Sequence, residues 1–286
     1  MDGVVYLLKR YEIKTIYTEF LFDAYFVYKI KSLIPNIRIV SAWRGYDVYS
    51  FLKKDYVNTE FLSKLDKILV RDSSMRKEVC KYLGGDCDKV EVVRSVLDVS
   101  KYEFEEKDFW KLDILIWGRF VEKKGILELL DLIKLLEGEG FIWKIWLVWD
   151  GELRDKVLER IDSLWLGNRI KYYGFLSHKD FVSKLNQYNC FINYSRVADN
   201  GDSEWISNVV VENMLSWNIV FSTVVWGLWE VVKDGETWVV LRGVVEEDSG
   251  KVKRSYERGN VGGVVARGWR TVEQASGADI GESVEA

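Results

Sequence analysis

Short apolar runs alternate with segments of helical periodicity along most of the chain, and this alternation restricts the fold more than any other feature. Strands that alternate with helices form parallel sheets covered by helices. The sequence therefore predicts an α/β protein with doubly wound parallel sheets, which bind ligands outside the carboxyl ends of their strands. Strands are predicted at 14–17, 38–42, 67–70, 89–93, 112–117, 143–149, 169–172, 190–194 and 219–222, and helices at 22–34, 59–65, 73–83, 126–136, 153–162, 179–186, 209–216, 249–258 and 264–274.

The length and one irregular segment predict two domains. A chain of 286 residues can form two modest domains, each with its own core. The segment 98–111 is charged and lacks clear periodicity, which is typical of a linker. We expect a first Rossmann-like domain at 1–100, a linker at 101–111 and a second Rossmann-like domain at 112–286.

Charge and cysteine usage exclude several classes of protein. The net charge of −4 provides no basic face for nucleic acid. Cys80, Cys87 and Cys190 are odd in number and lack C-x-x-C spacing, so neither a disulfide framework nor a zinc site is expected. No signal peptide is apparent, and no apolar run approaches the roughly 18 residues that span a bilayer. The expected location is the cytoplasm.

Two acids eight residues apart, Glu204 and Glu212, form the first candidate site. Glu204 ends a polar loop, whereas Glu212 lies in an apolar run that is typical of the first turns of a buried helix. A helix N-terminus favours a phosphate group, and the two acids could bind hydroxyls at both ends of a phosphate-bridged sugar ligand. Acids near a helix start also serve as simple caps, so both interpretations stay open.

Two further strand-to-helix loops carry candidate binding residues. The loop after the strand 112–117 holds Arg119 and Lys124, both suited to phosphate oxygens, with Gly118 beside them. The loop after the strand 143–149 holds Asp150 and Gly151. Each loop by itself is equally compatible with an ordinary solvated surface or, for Asp150, with an N-cap.

Five motifs follow one another from residue 118 to residue 237. They are Gly118-Arg119 with Lys124-Gly125, Asp150-Gly151-Glu152-Leu153-Arg154, Gly174-Phe175-Leu176-Ser177-His178, the segment 199–212 with its Glu-x7-Glu spacing, and Asp234-Gly235-Glu236-Thr237. In this order the chain resembles the retaining glycosyltransferases of family 4 (glycosyl transferases group 1), which have the GT-B fold. The resemblance extends over about residues 41–241. It implies an acceptor-side first domain, here incomplete because the opening strand, glycine loop and helix are absent, and a second domain that binds a nucleotide sugar.

The resemblance also implies a reaction. A hexose would move from a nucleotide-diphosphate sugar, with UDP or GDP as the nucleotide, to a glycan or lipid-linked acceptor in polysaccharide biosynthesis. The anomeric configuration would be retained, and no metal or other cofactor would be needed. The partners would be the nucleotide sugar and the acceptor, with contact to the inner face of a membrane as a further expectation.

Residue roles follow from the same resemblance. Arg119 and Lys124 would bind the donor diphosphate and stabilise the leaving group. Glu204 would contact the transferred sugar, and Glu212 would hold the ribose hydroxyls. The remaining residues expected at the site are Gly118, Asp150, Gly151, Asn208 and Val209 on the donor side, and Arg44 and Asp47 on the acceptor side.

The chain departs from the family pattern mainly at glycine positions. Thirteen Trp and the single Pro35 are unusual, since average usage would give about 14 Pro. Ser207 stands where Pro is usual. At several positions a Trp stands where Gly is usual, and Trp is less able than Gly to adopt positive φ or to allow close approach of a ligand. The alternatives are therefore an impaired remnant with at most weak nucleotide binding, or an epimerase or phosphorylase on the same architecture. The positions where Trp replaces the usual Gly are Trp149, Trp205, Trp217 and Trp238.

Other chemistries have weaker support. His178 is interpreted as a surface or capping residue of a helix start. Asp199, Asp202 and Glu204 could bind a divalent cation, but their spacing does not match an EF-hand loop. Neither a complete dinucleotide fingerprint nor a P-loop is present.

Overall fold

The computed structural model describes residues 2–54, 58–85, 87–93, 97–102, 105, 107–199, 204, 208–223, 233–257 and 261–282. They form two compact units, Met1–Ser95 and Val96–Ala286. The first unit ends at Ser95, before the linker expected at 101–111. The domain bounds that the sequence indicates remain a prediction. Among the described residues, no helix combines the length and apolar character that a bilayer crossing requires.

The first unit contains a four-stranded parallel sheet in the order β1-β2-β3-β4. Apolar side chains such as Ile39, Ile68 and Val90 are buried, as the period-two alternation of a covered strand requires. The strands are β1 (Thr15–Thr18), β2 (Arg38–Ala42), β3 (Lys67–Val70) and β4 (Val90–Val92), and the helices are α1 (Asp2–Arg10), α2 (Leu21–Val27), α3 (Ile30–Leu33) and α4 (Ser73–Tyr82).

The second unit contains a six-stranded parallel sheet in the order β10-β9-β8-β5-β6-β7. The chain enters at the central strand β5, extends the sheet first through β6 and β7, and then returns to add β8 on the other side of β5. The strands are β5 (Leu112–Trp117), β6 (Ile142–Val148), β7 (Ile170–Gly174), β8 (Cys190–Asn193), β9 (Ile219–Thr223) and β10 (Val239–Leu241), and the helices are α5 (Ile126–Gly138), α6 (Arg154–Ser163), α7 (His178–Val182), α8 (Asn208–Leu215), α9 (Val245–Glu257) and α10 (Val261–Glu282).

Both faces of this sheet are buried. Ile114 and Ile116 of β5 belong to a core that includes Leu130 of α5 and Val252 of α9, whereas Leu115 belongs to a second core with residues of α7 and α8. A strand buried on both faces is a nearly continuous apolar run, as in Leu112–Trp117, where Asp113 is the one polar residue. This rigid sheet holds the loops at its carboxyl edge in place.

The structure confirms the α/β class and most predicted elements, but it corrects several bounds. The predicted helix 22–34 is interrupted between α2 and α3, and the predicted helix 59–65 is a 3-10 helix at Thr59–Lys64. The predicted helix 179–186 consists of α7 and a 3-10 turn at Leu185–Gln187. Helix α1 and strand β10 were not predicted: β10 has only three residues, whereas the apolar and polar residues of α1 do have helical spacing, which the prediction missed.

The expectation of no disulfide was wrong at one position. Cys80 and Cys87 form a disulfide, with their Cα atoms 5.4 Å apart. The turn after α4 brings them together, and a spacing of seven residues lies outside the motifs by which cysteine pairs are recognised in sequence. Cys190 is free and buried in β8.

Candidate functional site

The loops after β5 and β8 lie at the point where the strand order of the second unit reverses. Strand β5 is paired with β6 on one side and with β8 on the other, so the connections that leave β5 and β8 run in opposite directions. In open α/β sheets this topological switch point forms the ligand-binding crevice. The predicted cationic loop follows β5, and the acidic segment follows β8.

The loop after β5 is held against the end of β8. Gly125 has a φ of 57°, and a Cβ atom at this position would lie 2.1 Å from the carbonyl oxygen of Tyr194. Only glycine permits both the left-handed conformation and this approach. A 3-10 turn at Glu122–Lys124 precedes Gly125, and the side chain of Arg119 is exposed.

Lys124 and Glu204 meet across the switch point. Nζ of Lys124 lies 2.8 Å from Oε2 of Glu204, and their side chains are only 11% and 20% exposed. The stem of Lys124 lies over Gly118. The structure thus brings together one cation from the loop after β5 and one acid from the segment after β8, both of which are candidate site residues.

The Asp150–Gly151 loop packs against the cationic loop. Phe120 donates its N–H to the carbonyl oxygen of Asp150 at 3.0 Å, and a Cβ on Gly151 would lie 2.7 Å from the backbone of Phe120. The Asp150 carboxylate accepts from the Gly151 N–H at 2.8 Å. Helix α6 begins at Arg154 with Leu153 as its N-cap residue, so the N-cap interpretation of Asp150 was wrong.

Glu212 is buried on α8 and is held by two side chains that the sequence did not connect to it. Its Oε1 lies 2.6 Å from Nε2 of His178 and accepts a hydrogen bond of 3.0 Å from the hydroxyl of Tyr102. Glu212 is 3% exposed, whereas the His178 side chain is 62% exposed. Asn208 and Val209 form the first residues of the same helix.

His178 therefore has a specific partner: it is a surface residue, as predicted, because its side chain is 62% exposed, but it does not cap the helix. Ser177, not His178, caps α7 by accepting from the N–H of Asp180. Burial, with the nearby charge of Glu212, raises the pKa of Tyr102, so its hydroxyl stays a donor at neutral pH. The position of His178 after a predicted strand could have placed it at the carboxyl edge of the sheet. Tyr102 lies 110 residues from Glu212, and no local sequence pattern indicates that the two side chains meet.

Two of the unusual tryptophans adopt backbone conformations that favour glycine. Trp149 has a φ of 106° and Trp217 a φ of 56°. The ring of Trp149 contacts those of Trp117 and Phe175, with centroids 5.1 and 4.9 Å away. Trp238 is buried in the core, and Trp205 and Ser207 lie outside the described residues.

The two acceptor-side candidates lie in the first unit and pair locally. Asp47 is 1% exposed and accepts backbone N–H bonds from Arg44 at 2.7 Å and from Leu21 at 3.3 Å. Burial raises the pKa of Asp47 to about 6. The Arg44 side chain donates to Glu19 at 2.6 Å. A role of this pair toward an acceptor remains a prediction.

Within the described part of the chain, no three His, Cys, Asp or Glu side chains are grouped as a metal site. The candidate cation cluster included Asp202, which lies outside the described residues. The expectation of a metal-independent site remains a prediction.

The chain belongs to the glycosyl transferases group 1 family, whose model matches residues 102–257. That range contains all the loops described above for the second unit. AmsK of Erwinia amylovora, an amylovoran biosynthesis glycosyltransferase, is 24% identical over 164 residues, which make up 57% of this chain and 40% of that protein. WcaL of Salmonella typhimurium, a putative colanic acid biosynthesis glycosyltransferase, is 22% identical over 208 residues, or 71% of this chain and 51% of that protein.

The fold is also found in solved structures. HepE of Anabaena in complex with UDP superposes with a TM-score of 0.77 at 17% identity, over 99% of this chain and 81% of that protein. This likeness confirms the predicted GT-B fold with its two parallel sheets. The chain spans about half the length of the curated relatives that it matches.

Proposed function

We propose that the protein is a retaining glycosyltransferase that moves a hexose from a nucleotide-diphosphate sugar to a glycan or lipid-linked acceptor. The nucleotide is UDP or GDP. Membership of the family supports the transferase class. HepE has been solved in complex with UDP and with UDP-glucose, which supports a nucleotide sugar as the donor.

The observation that carries the proposal is the meeting of Lys124 and Glu204 at the switch point, 2.8 Å apart. A lysine and an acid from different loops provide opposite charges at one place in the crevice. The lysine suits the diphosphate, and the acid suits hydroxyls of the sugar that the diphosphate carries. Arg119, exposed on the same loop, adds a second cation for the phosphates.

Glu212 completes the donor side. Because His178 and Tyr102 both engage Oε1, the carboxylate is held in one orientation on a buried helix position. A carboxylate so fixed accepts hydrogen bonds from ribose hydroxyls without a further loss of side-chain entropy. We assign Glu212 to the ribose, and the N-terminus of α8 at Asn208 and Val209 to the phosphates.

The chemistry follows from these groups. As the bond between the anomeric carbon and the diphosphate breaks, negative charge develops on the phosphate oxygens, and Lys124 and Arg119 stabilise it. Retention is compatible with the leaving phosphate accepting the acceptor proton. The residues present supply this charge stabilisation themselves, so the proposal includes no metal.

Substitution of the two cations tests the proposal. We expect Lys124→Ala and Arg119→Ala each to weaken binding of the donor about 10–100-fold, because each removes a charge-assisted contact to phosphate. Titration calorimetry with UDP-glucose and with GDP-mannose measures this. Lys156→Ala, exposed on α6, is the matched control and should bind as the wild type does.

Unchanged affinity in both loop variants would contradict the assigned site. The impaired remnant would be favoured if no UDP, GDP or ADP sugar changed the melting temperature of the wild-type protein and none was turned over. The observation that favours the impaired remnant is the φ of 106° at Trp149. An indole stands there at a position where close approach of a ligand favours glycine. Release of free or rearranged sugar without an acceptor would indicate a phosphorylase or an epimerase.

A further inference from the structure

The side chain of Arg196 connects the loop after β5 to the loop after β8. Its Nη1 donates to Oε1 of Glu128 at 2.7 Å, and its Nη2 pairs with Glu122. Glu122 opens the turn that contains Lys124, and Glu128 lies in the first turn of α5. Arg196 itself follows the end of β8. One guanidinium therefore binds two carboxylates that flank the cationic loop.

Backbone contacts reinforce the same connection. The N–H of Arg196 donates to the carbonyl oxygen of Lys123 at 2.9 Å, and the N–H of Asp199 donates to Glu122 at 3.2 Å. The contact between Gly125 and the carbonyl of Tyr194 lies next to them. The two loops thus contact each other through the residues on both sides of Lys124.

The charges around Lys124 give Arg196 a second effect. Glu122 and Glu128 lie close to the turn that carries the lysine, and an anionic ligand would be repelled by two uncompensated carboxylates. The guanidinium pairs with both through its planar fork and compensates part of their charge, in a fixed geometry that the flexible ammonium group of a lysine does not reproduce. Arg196 also lies within 4.0 Å of Asp199.

We propose that Arg196 is a positioning residue for the anion site: it holds the loop that carries Lys124 and compensates part of the negative charge of Glu122 and Glu128. It acts through Lys124 and touches no ligand in this scheme. The inference depends on the proposed function only in taking a diphosphate as the ligand.

Inorganic pyrophosphate is the probe, since it requires no knowledge of the base or the sugar. We expect Arg196→Met to weaken pyrophosphate binding at least about fivefold, because a small displacement of a binding group has large effects on the contacts it makes. Arg196→Lys should recover only part of the loss. The melting temperature should change little, because exposed ion pairs contribute little to stability.

Arg160→Met is the matched control. It breaks another exposed pair of arginine and carboxylate, between Arg160 and Asp131, which joins α5 to α6 away from the switch point. Its pyrophosphate affinity should equal that of the wild type.

Hydrogen exchange provides a readout that needs no ligand. In Arg196→Met, amides of the segments 119–125 and 196–199 should exchange faster, while those of β5 and β8 keep their protection. Unchanged exchange in these loops, or unchanged pyrophosphate affinity alongside a loss in Lys124→Ala, would overturn the assignment of Arg196. Faster exchange throughout the strands would also overturn it, because the role of Arg196 would then be general stability.

A wild-type protein that binds neither pyrophosphate nor nucleotide sugars would instead contradict the proposed function. The exchange experiment would still decide whether Arg196 holds the loop that carries Lys124.

Discussion

Two lysines near opposite ends of strand β5 show how the two edges of one sheet differ. At the amino edge, Lys107 donates to the carbonyl oxygens of Leu185 and Tyr188 at 2.8 and 2.7 Å and to Oδ1 of Asn218 at 2.5 Å. At the carboxyl edge, Lys124 pairs with one carboxylate among the described residues, that of Glu204. Both lysines join segments that are distant in sequence.

The difference lies in whether the partners can be exchanged. Two of the partners of Lys107 are backbone carbonyls, which the fold holds in place and which no ligand replaces. The partner of Lys124 is a side chain on a loop, and a phosphate group competes with it on equal chemical terms. A fully satisfied lysine serves the structure, whereas a lysine with one exchangeable partner is available for binding.

The largest expected effect comes from Lys107→Met. The variant removes this donor from three acceptors, of which only the Leu185 carbonyl oxygen keeps another, Nδ2 of Asn218 at 3.3 Å, among the described residues, so we expect the free energy of unfolding to fall by about 3 kcal/mol. Urea unfolding measures this change. Lys124→Met is the comparison: it should cost clearly less stability, because only the Glu204 carboxylate loses a partner, while it removes pyrophosphate binding. Similar destabilisation in both variants would remove the proposed distinction between the two edges.

The pH dependence of stability tests the same lysine. Burial lowers the pKa of Lys107 to about 7, from an ordinary value of 10.5. Between these values the unfolded chain binds a proton that the folded protein releases, so the free energy of unfolding rises with pH. The slope contributed by this group is up to about 1.4 kcal/mol per pH unit. Urea unfolding at pH 7.5 and 8.5 should show this rise in the wild type and its absence in Lys107→Met.

Glu204→Gln sharpens the comparison at the carboxyl edge. The amide keeps the size of the side chain but no longer neutralises Lys124, so pyrophosphate should bind about fivefold more tightly, which corresponds to about 1 kcal/mol. Hexose transfer should fall, since the carboxylate is proposed to contact the sugar. Glu152→Gln, exposed on the neighbouring loop, controls for the loss of a negative charge. Weaker pyrophosphate binding in Glu204→Gln would show that Glu204 helps to hold the anion and does not compete with it.

The smallest expected effect concerns backbone strain at the two edges. Trp165, at the amino edge, has a φ of 59° and is 87% exposed. Trp165→Gly should raise the free energy of unfolding by about 1 kcal/mol, because the left-handed conformation is unfavourable for a residue with a Cβ. Trp165→Ala keeps the Cβ and should show no gain. Thermal or urea unfolding distinguishes these variants.

Trp149→Gly is the counterpart at the carboxyl edge. The same relief of strain is offset there by the loss of ring contacts with Trp117 and Phe175, which contribute about 0.5–1.5 kcal/mol each. Its net effect on stability should therefore lie between about zero and a loss of about 2 kcal/mol. A gain as large as that of Trp165→Gly would show that these aromatic contacts contribute little.

Much of the fold of the second unit could be predicted from the sequence. The predicted strand 112–117 coincides with β5, and the strand 38–42 of the first unit coincides with β2, because apolar runs bounded by polar residues are local signals. The prediction of an α-helix at 59–65 was wrong in type, because over so few residues a 3-10 helix and an α-helix bury apolar residues at similar spacing. The interruption between α2 and α3 was also missed, because no Gly or Pro, the residues that usually end a helix, lies between them.

The sequence by itself determined which loops carry the charges, because motif residues follow strand ends in a local pattern. It also determined the family, through the order of those motifs. Only the tertiary structure decided which charges meet. Tyr102 reaches Glu212 and Arg196 reaches Glu122 across 110 and 74 residues, and such pairings depend on the order of strands in the sheet. The reversal of strand order at β5 is what turns separate loops into one site, and no local property of the sequence specifies it.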